Sequence, residues 1–488
     1  MRDWLTIRRS ATPNRTALID AATDDRWTYR ELDEVVSRLA GRLRAVGVGA
    51  GDPVGVTMET RTAFVRLLWA TQRLGATLVP FNARLTPDEL ADRIDVVEPT
   101  VHVVGRETER TAAGLDDTAP VLGVDGASAG GVRPLDAIES EPVAPTDRPL
   151  SEPFAVVFTS GTTGDPRPIR LTGQNFLASA VASAFRLGTL PDDRWLLCLP
   201  TYHVGGLSIP IRTTVYGTTA VVHRGFDPDS VLEAMDGHSV TGISVVPTML
   251  DRLLEVGPVP DSLRFVLVGG GPISEALLDR ARDADVPVYP TYGMTEAASQ
   301  IATATSADVE AAPGTVGRPL VGTDVAILDG DGDPVEPGER GEIGVRGWTI
   351  SPDVFEGDGT TNGWFRTGDV GYRDRDGRLF VTGRVSETIV TGGENVVPAT
   401  VREAVVEHPA VDDAAVVGIP DDEWGERVAA AIVASETMSV GELDAFLEGR
   451  LAGFKRPRTV AFVESLPRTP SGTVDRAAVR ERLRDAVE

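Results

Sequence analysis

Lysine is almost missing from this chain: Lys455 is the only one, and every other basic residue among the 47 is arginine. Cysteine is as scarce, with Cys198 alone, which excludes an intramolecular disulfide and fits a reducing cytoplasm. Cys198 lies in WLLCLP, a buried-strand pattern, where a packed inert thiol is expected rather than a nucleophile. No stretch approaches about 20 apolar residues, and MRDWLTIRRS lacks the apolar centre of a signal peptide. Neither membrane insertion nor secretion is expected. Positive charge is also short: 73 acidic residues give a formal charge of −26, whose field repels nucleic acid and anionic membranes. A nucleotide would have to be met by local positive groups. An acidic surface with Arg in place of Lys fits a halophilic protein kept soluble in concentrated salt, and a GC-rich genome is the other source of such a bias.

What is present is enough for more than one domain: 488 residues, 41% of them hydrophobic. Up to about residue 100, helical and strand patterns alternate, with helices over 29–46 and 62–74 and strands over 53–57 and 76–80. Residues 107–149, rich in Asp, Gly, Ala and Pro, read as surface loops. Further strands are expected at 195–199, 219–222, 242–246 and 264–268 with helices between them, which implies parallel sheets and ligands at the strands' carboxyl ends. Residues 314–380 carry closely spaced turns such as DGDGDP, which suggests a β-rich subdomain. Mixed α/β patterning returns after residue 383. The fold class is therefore α/β, with a large N-terminal domain over 1–383 and a small α+β C-terminal domain over 384–488.

The stretch 154–172, FAVVFTSGTTGDPRPIRLT, turns from a buried strand into a loop of Thr159, Ser160, Gly161, Thr162, Thr163 and Gly164. Backbone N–H groups and hydroxyls can converge there on a polyphosphate, or the loop is a solvated turn. It is not a Walker-type P-loop, since no GxxxxGK[ST] follows the strand. His203 stands in PTYHVGGL where a strand meets a helix. Nine residues on, Arg212 in LSIPIRTTVYG either snorkels to solvent or binds a substrate carboxylate. LVGGGPIS (267–274) ends a strand in three glycines.

FTSGTTGDPRP resembles the phosphate loop of the adenylate-forming superfamily of acyl-CoA ligases, peptide-synthetase adenylation domains and luciferases. Asp165, Arg167 and Pro168 depart from that family's usual ending, and later motifs follow the family's order over most of the chain. The resemblance implies that Gly270 and Gly271 border adenine, that Tyr292 of YGMTEAASQ stacks on it, that Thr295 contacts the α-phosphate and that Glu296 holds Mg2+. An oxygen ligand suits that ion. It also implies that Asp369 and Arg384, in TGDVGYRDRDGRLFVTGR, meet the ribose, or a phosphate in the case of Arg384. His203, Arg212, Gly269 and Ser299 would line the acid site. Ser386 would be the hinge of a mobile C-terminal cap, and Gly392 and Gly393 would border the pantetheine arm of CoA. A hinge is chemically apt, because the two half-reactions need different groups at one carbonyl.

One departure is chemical. The family closes in Ser-Gly-Lys, whereas LPRTPSGTVDR places Thr473 at the lysine position, with Arg468, Arg476 and Lys455 as the nearby cations. Thr473 cannot supply positive charge to a phosphoryl transition state. The implied activity is an ATP- and Mg2+-dependent ligation of a small carboxylic acid to CoA through an acyl-adenylate. YHVGGLSI, SVVPTML, LVGGGP and YGMTEAASQIAT are most similar to the 2-succinylbenzoate-CoA ligase branch. Another aryl- or fatty-acyl-CoA ligase, a non-catalytic nucleotide-binding relative and a carrier-loading adenylation module are the alternatives. Oligomeric state is left open, a homodimer among the options.

Overall fold

Several helices begin where a side chain can cap them. Thr28 and Glu31, Thr86 and Glu89, and Thr172 and Asn175 exchange reciprocal side-chain-to-backbone hydrogen bonds at the starts of the helices Tyr29–Ala45, Pro87–Val97 and Gly173–Leu187. The computed structural model describes residues 3–115, 119–159, 167–355, 360–387, 389–391, 394–421, 424–451, 453–468 and 474–485. By contacts the chain falls into two compact units, Met1–Asp324 with Arg346–Phe365, and Val325–Val345 with Arg366–Glu488.

The first unit holds two sheets. One has seven strands in the order Val132–Pro134, Val121–Gly123, Val101–Val104, Pro53–Thr57, Thr77–Phe81, Pro153–Phe158 and Pro168–Thr172. All its pairs are parallel except the last, a hairpin. The other runs Arg318–Pro319, Ser299–Thr303, Val288–Met294, Phe265–Val268, Gly242–Val245, Arg194–Leu197, Thr219–Val222, Thr16–Asp20 and Arg26–Thr28. Its middle is parallel and its outer pairs are antiparallel. One apolar cluster draws on both sheets and on the helices Tyr29–Ala45, Thr62–Leu74, Gly173–Leu187 and Val204–Tyr216. Runs such as FVLV and TAVV are wholly buried, as parallel strands covered on both faces should be. A second cluster includes Val231, Met235, Leu250, Leu253, Leu277 and Leu278, from the helices Pro228–Gly237, Pro247–Val256 and Glu275–Asp283.

The described residues of 107–149 hold more regular structure than their composition suggests. They include the helix Glu109–Ala113 and the strands Val121–Gly123 and Val132–Pro134, which extend the seven-stranded sheet in parallel. Three-residue strands among Gly and Asp have no period to read, and the existing sheet edge recruits them.

The strand Trp364–Arg373, whose residues from Arg366 on belong to the second unit, pairs antiparallel with Leu379–Arg384. Beyond them Val411–Asp421 and Gly425–Ala434 form a long antiparallel pair, and Thr459–Phe462 adds in parallel. Alternation along these strands supplies two cores, one with Val401, Val405, Leu443 and Leu447, the other with Leu466, Val479 and Leu483.

Candidate functional site

The hairpin Pro153–Phe158 with Pro168–Thr172 frames the Ser/Thr/Gly loop, and Thr159 N–H donates to Arg167 O at 3.0 Å across its mouth. Ser160, Gly161, Thr162, Thr163, Gly164 and Asp165 lie outside the described residues, as do Gly392, Gly393 and Thr473. Thr172, at the end of the hairpin, caps the helix Gly173–Leu187.

Thr295 and Glu296 occupy a one-turn 3-10 helix, Thr295–Ala297, between the antiparallel strands Val288–Met294 and Ser299–Thr303. The two strands close tightly because residue 293 is glycine: a Cβ there would lie 1.5 Å from Ser299 O. The return is made by Ala298 and Ser299 at φ +49° and +104°, left-handed values that residues with a Cβ seldom adopt. Ser351 N–H donates to Glu296 O at 2.7 Å, and the Glu296 side chain stays partly exposed. Tyr292 is 9% exposed. The glycine turn after Phe265–Val268 sits against its neighbour Thr291, since a Cβ on Gly269 would come 2.7 Å from Thr291 Cγ2, and Gly270 turns at φ +78°. The structure thus brings Gly269, Tyr292, Thr295 and Glu296 into one region.

His203 is the N-cap of Val204–Tyr216, with no side-chain capping bond and its ring 4.7 Å from that of Tyr202. The ring keeps contact with solvent, yet the protein crowding it, and secondarily the Arg84 charge, hold its pKa below the usual histidine value. The imidazole is neutral at pH 7.

Arg212 does not snorkel. It is 1% exposed, and burial pushes its pKa down to about 10, an effect partly offset by Tyr216, so it still carries its charge at neutral pH. Among the described residues its one hydrogen bond is from Nη2 to Ser179 Oγ at 3.2 Å. Its guanidinium carbon lies 5.6 Å from the centroid of the Trp195 ring, and among the described residues its Nε has no partner. Ser179 Oγ in turn donates to Ala298 O at 2.8 Å, which ties Arg212 to the turn after Glu296. Sequence reasoning passed over Ser179, whose sole signal is a hydroxyl in the largely apolar helix run FLASAVASAF.

In the second unit, Asp369 and Arg384 face one another across antiparallel strands and pair at 3.1 Å. Asp369 is 6% exposed, and its N–H donates to Thr367 Oγ1. Ser386 falls in the 3-10 turn Val385–Glu387 directly after this strand. The three cations near residue 473 in sequence are engaged inside the unit. Arg468 pairs with Asp413 at 3.0 Å, Arg476 pairs with Glu387, and Lys455 Nζ lies 5.6 Å from the Phe454 ring centroid.

Residues 6–354 match the family model described as AMP-binding enzyme, and residues 401–473 match the AMP-binding enzyme C-terminal domain. The 2-succinylbenzoate–CoA ligase of Bacillus pumilus (strain SAFR-032) is 37% identical over 494 residues, covering 98% of each chain. The o-succinylbenzoate CoA synthetase of Bacillus subtilis in complex with its acyl-adenylate intermediate superposes with a TM-score of 0.86 at 34% identity, over 98% of both chains. The same enzyme with ATP and magnesium ion gives 0.83 at 33% identity, over 99% of this chain and 100% of that one.

Proposed function

Because the chain belongs to the AMP-binding enzyme family, we propose that it is an ATP-dependent 2-succinylbenzoate–CoA ligase of menaquinone biosynthesis, acting through an acyl-adenylate. The observation that carries the substrate is Arg212: a buried guanidinium with no carboxylate among its described partners suits an aromatic acid bearing a second carboxylate. One carboxylate of the acid attacks the α-phosphorus of ATP and pyrophosphate leaves; the CoA thiolate then attacks the acyl carbon and AMP leaves. Holding carboxylate and phosphorus together supplies much of the first step.

The residues divide by what each can hold. Thr159 and residues 160–164 take the phosphates, Gly270, Gly271 and Tyr292 take adenine, and Asp369 with Arg384 take the ribose. Thr295 contacts the α-phosphate, while His203, Gly269 and Ser299 line the acid site. Among the described residues no group of three or more His, Cys, Asp or Glu could hold a metal. The partly exposed carboxylate of Glu296 suits Mg2+, an ion that takes most of its oxygen ligands from phosphate and water. When bound, Mg2+ neutralises charge on the phosphates. The moving cap begins after residue 383, hinged at Ser386, with Gly392 and Gly393 against the pantetheine arm.

Location in a salt-rich cytoplasm is inferred from composition; among the described residues no helix is long and apolar enough to cross a membrane. The direct test offers ATP, Mg2+, CoA and a panel of carboxylic acids in high salt. AMP and acyl-CoA should form with 2-succinylbenzoate; their absence with every acid would refute the assignment. Thr473 favours a second reading, a relative that binds nucleotide without adenylating. Thr473→Lys should raise adenylate formation about tenfold, because a cation returns to the phosphoryl transition state. An unchanged rate would mean that another group already fills that place.

A further inference from the structure

Ser179 has no part in the chemistry assigned so far, yet its position is costly unless it is used. It lies inside the helix Gly173–Leu187, 1% exposed, where an unsatisfied hydroxyl is penalised. Its hydrogen-bonding capacity is spent on two elements of the site. The hydroxyl proton goes to Ala298 O at 2.8 Å, and the oxygen accepts from Arg212 Nη2 at 3.2 Å. Ala298 and Ser299 hold left-handed backbone directly after the turn bearing Thr295 and Glu296, a geometry that lasts only where its surroundings enforce it. The Ala298 carbonyl is thus fixed from one side by the same oxygen that aims the guanidinium on the other.

We infer that Ser179 is a positioning residue coupling the acid-reading Arg212 to the Thr295–Glu296 turn. The inference rests on the proposed role of Arg212 toward the second carboxylate. A guanidinium held at one Nη keeps its remaining donors presented in a fixed plane. A hydroxyl that accepts from a cation is the stronger donor onward, so the charge at Arg212 stiffens the hold on Ala298 O.

The two arms separate in kinetics. With 2-succinylbenzoate and with 4-oxo-4-phenylbutanoate, which lacks the ring carboxylate, acid-dependent pyrophosphate release is measured for wild type, Ser179→Ala, Arg212→Ala and the double variant. Loss of the Ala298 bond should lower kcat several-fold on both acids. Release of Arg212 should raise KM about tenfold for the diacid while leaving the monoacid KM within about twofold. In the Arg212→Ala background, Ser179→Ala should leave the diacid KM within about twofold, because the two changes act on one contact. Ser179→Thr, which keeps the hydroxyl, should restore most of the preference. If wild type prefers the diacid but Ser179→Ala raises both KM values equally, or adds in full to Arg212→Ala, the coupling is overturned and the proposed substrate stands. A wild type without preference removes the role of Arg212 and the coupling together. Should the alanine variant fail to melt cooperatively, Ser179→Cys, close in volume and a weak donor, enters the same comparison.

Discussion

Among the described residues of the first unit, Arg73 and Arg212 lie fully buried, each 1% exposed, and their surroundings could hardly differ more. Arg73 is saturated. It pairs with Asp3 at 3.2 Å and with Asp33, donates to Thr6 Oγ1 and Ser37 Oγ, and reaches Asp33 O. Burial works against its charge, but the two carboxylates outweigh that and raise its pKa. Among the described residues Arg212 has Ser179, the Trp195 face and no partner for its Nε, and its pKa falls to about 10. A buried cation whose anions are supplied within the fold is part of the architecture. Arg212, with no carboxylate among its described partners, is the cation proposed above to meet the acid's second carboxylate.

The sharpest way to break this contrast is to remove each guanidinium in turn. Arg73→Met takes the cation from buried Asp3 and leaves Asp33 only the half-exposed Arg9 at 3.3 Å, and should cost about 3–5 kcal/mol of stability by urea unfolding. Arg212→Met removes an ion that lacks a described carboxylate partner. It should leave stability unchanged or raise it, because the cost of desolvating an ion without a described counter-ion is removed. Similar losses for both variants would show that the two arginines play the same part.

Activity should order the pair the other way. Arg212→Ala should raise KM for the diacid about 10–100-fold, as expected for a lost hydrogen bond to a charged group, and should spare monoacids. An Arg73 variant that remains folded should keep its KM for both. Equal loss on monoacids would count against Arg212 as the reader of the second carboxylate.

What could be foreseen in the chain depended on how local its cause was. Thr28 with Glu31 and the Val-rich strands announce themselves within a few residues, and so does the Ser/Thr/Gly loop after Phe158. Arg212 was legible as a question, since a cation in an apolar helix must either escape or be used; only packing shows that it does not escape. The Arg73 cluster joins residues 3, 33 and 73 and has no sequence pattern at all. The left-handed pair Ala298–Ser299 was hidden for another reason: such backbone is usually flagged by Gly or Asn, and here the tight approach of Gly293 imposes it on residues that give no warning. Ser179 draws its meaning from Arg212 and Ala298 together, which only packing brings to it.

His203 extends the comparison to a base weak enough to give up its proton. Arg73 keeps its charge by pairing and Arg212 keeps it by intrinsic basicity, whereas crowding by protein and the nearby Arg84 leave His203 neutral. Its folded pKa lies below the unfolded value of about 6.5. On acidification through that value the unfolded chain takes up a proton that the folded ring resists, so the unfolded state binds more protons and stability falls. Above it both forms are neutral and the effect vanishes. His203→Gln should therefore flatten the decline in urea midpoint between about pH 7 and pH 5, with little change at pH 8, a smaller effect than either arginine substitution. A decline of undiminished slope in the variant would mean that the ring is protonated as readily in the folded protein as in the open chain, and that the crowding around it is too loose to keep it neutral.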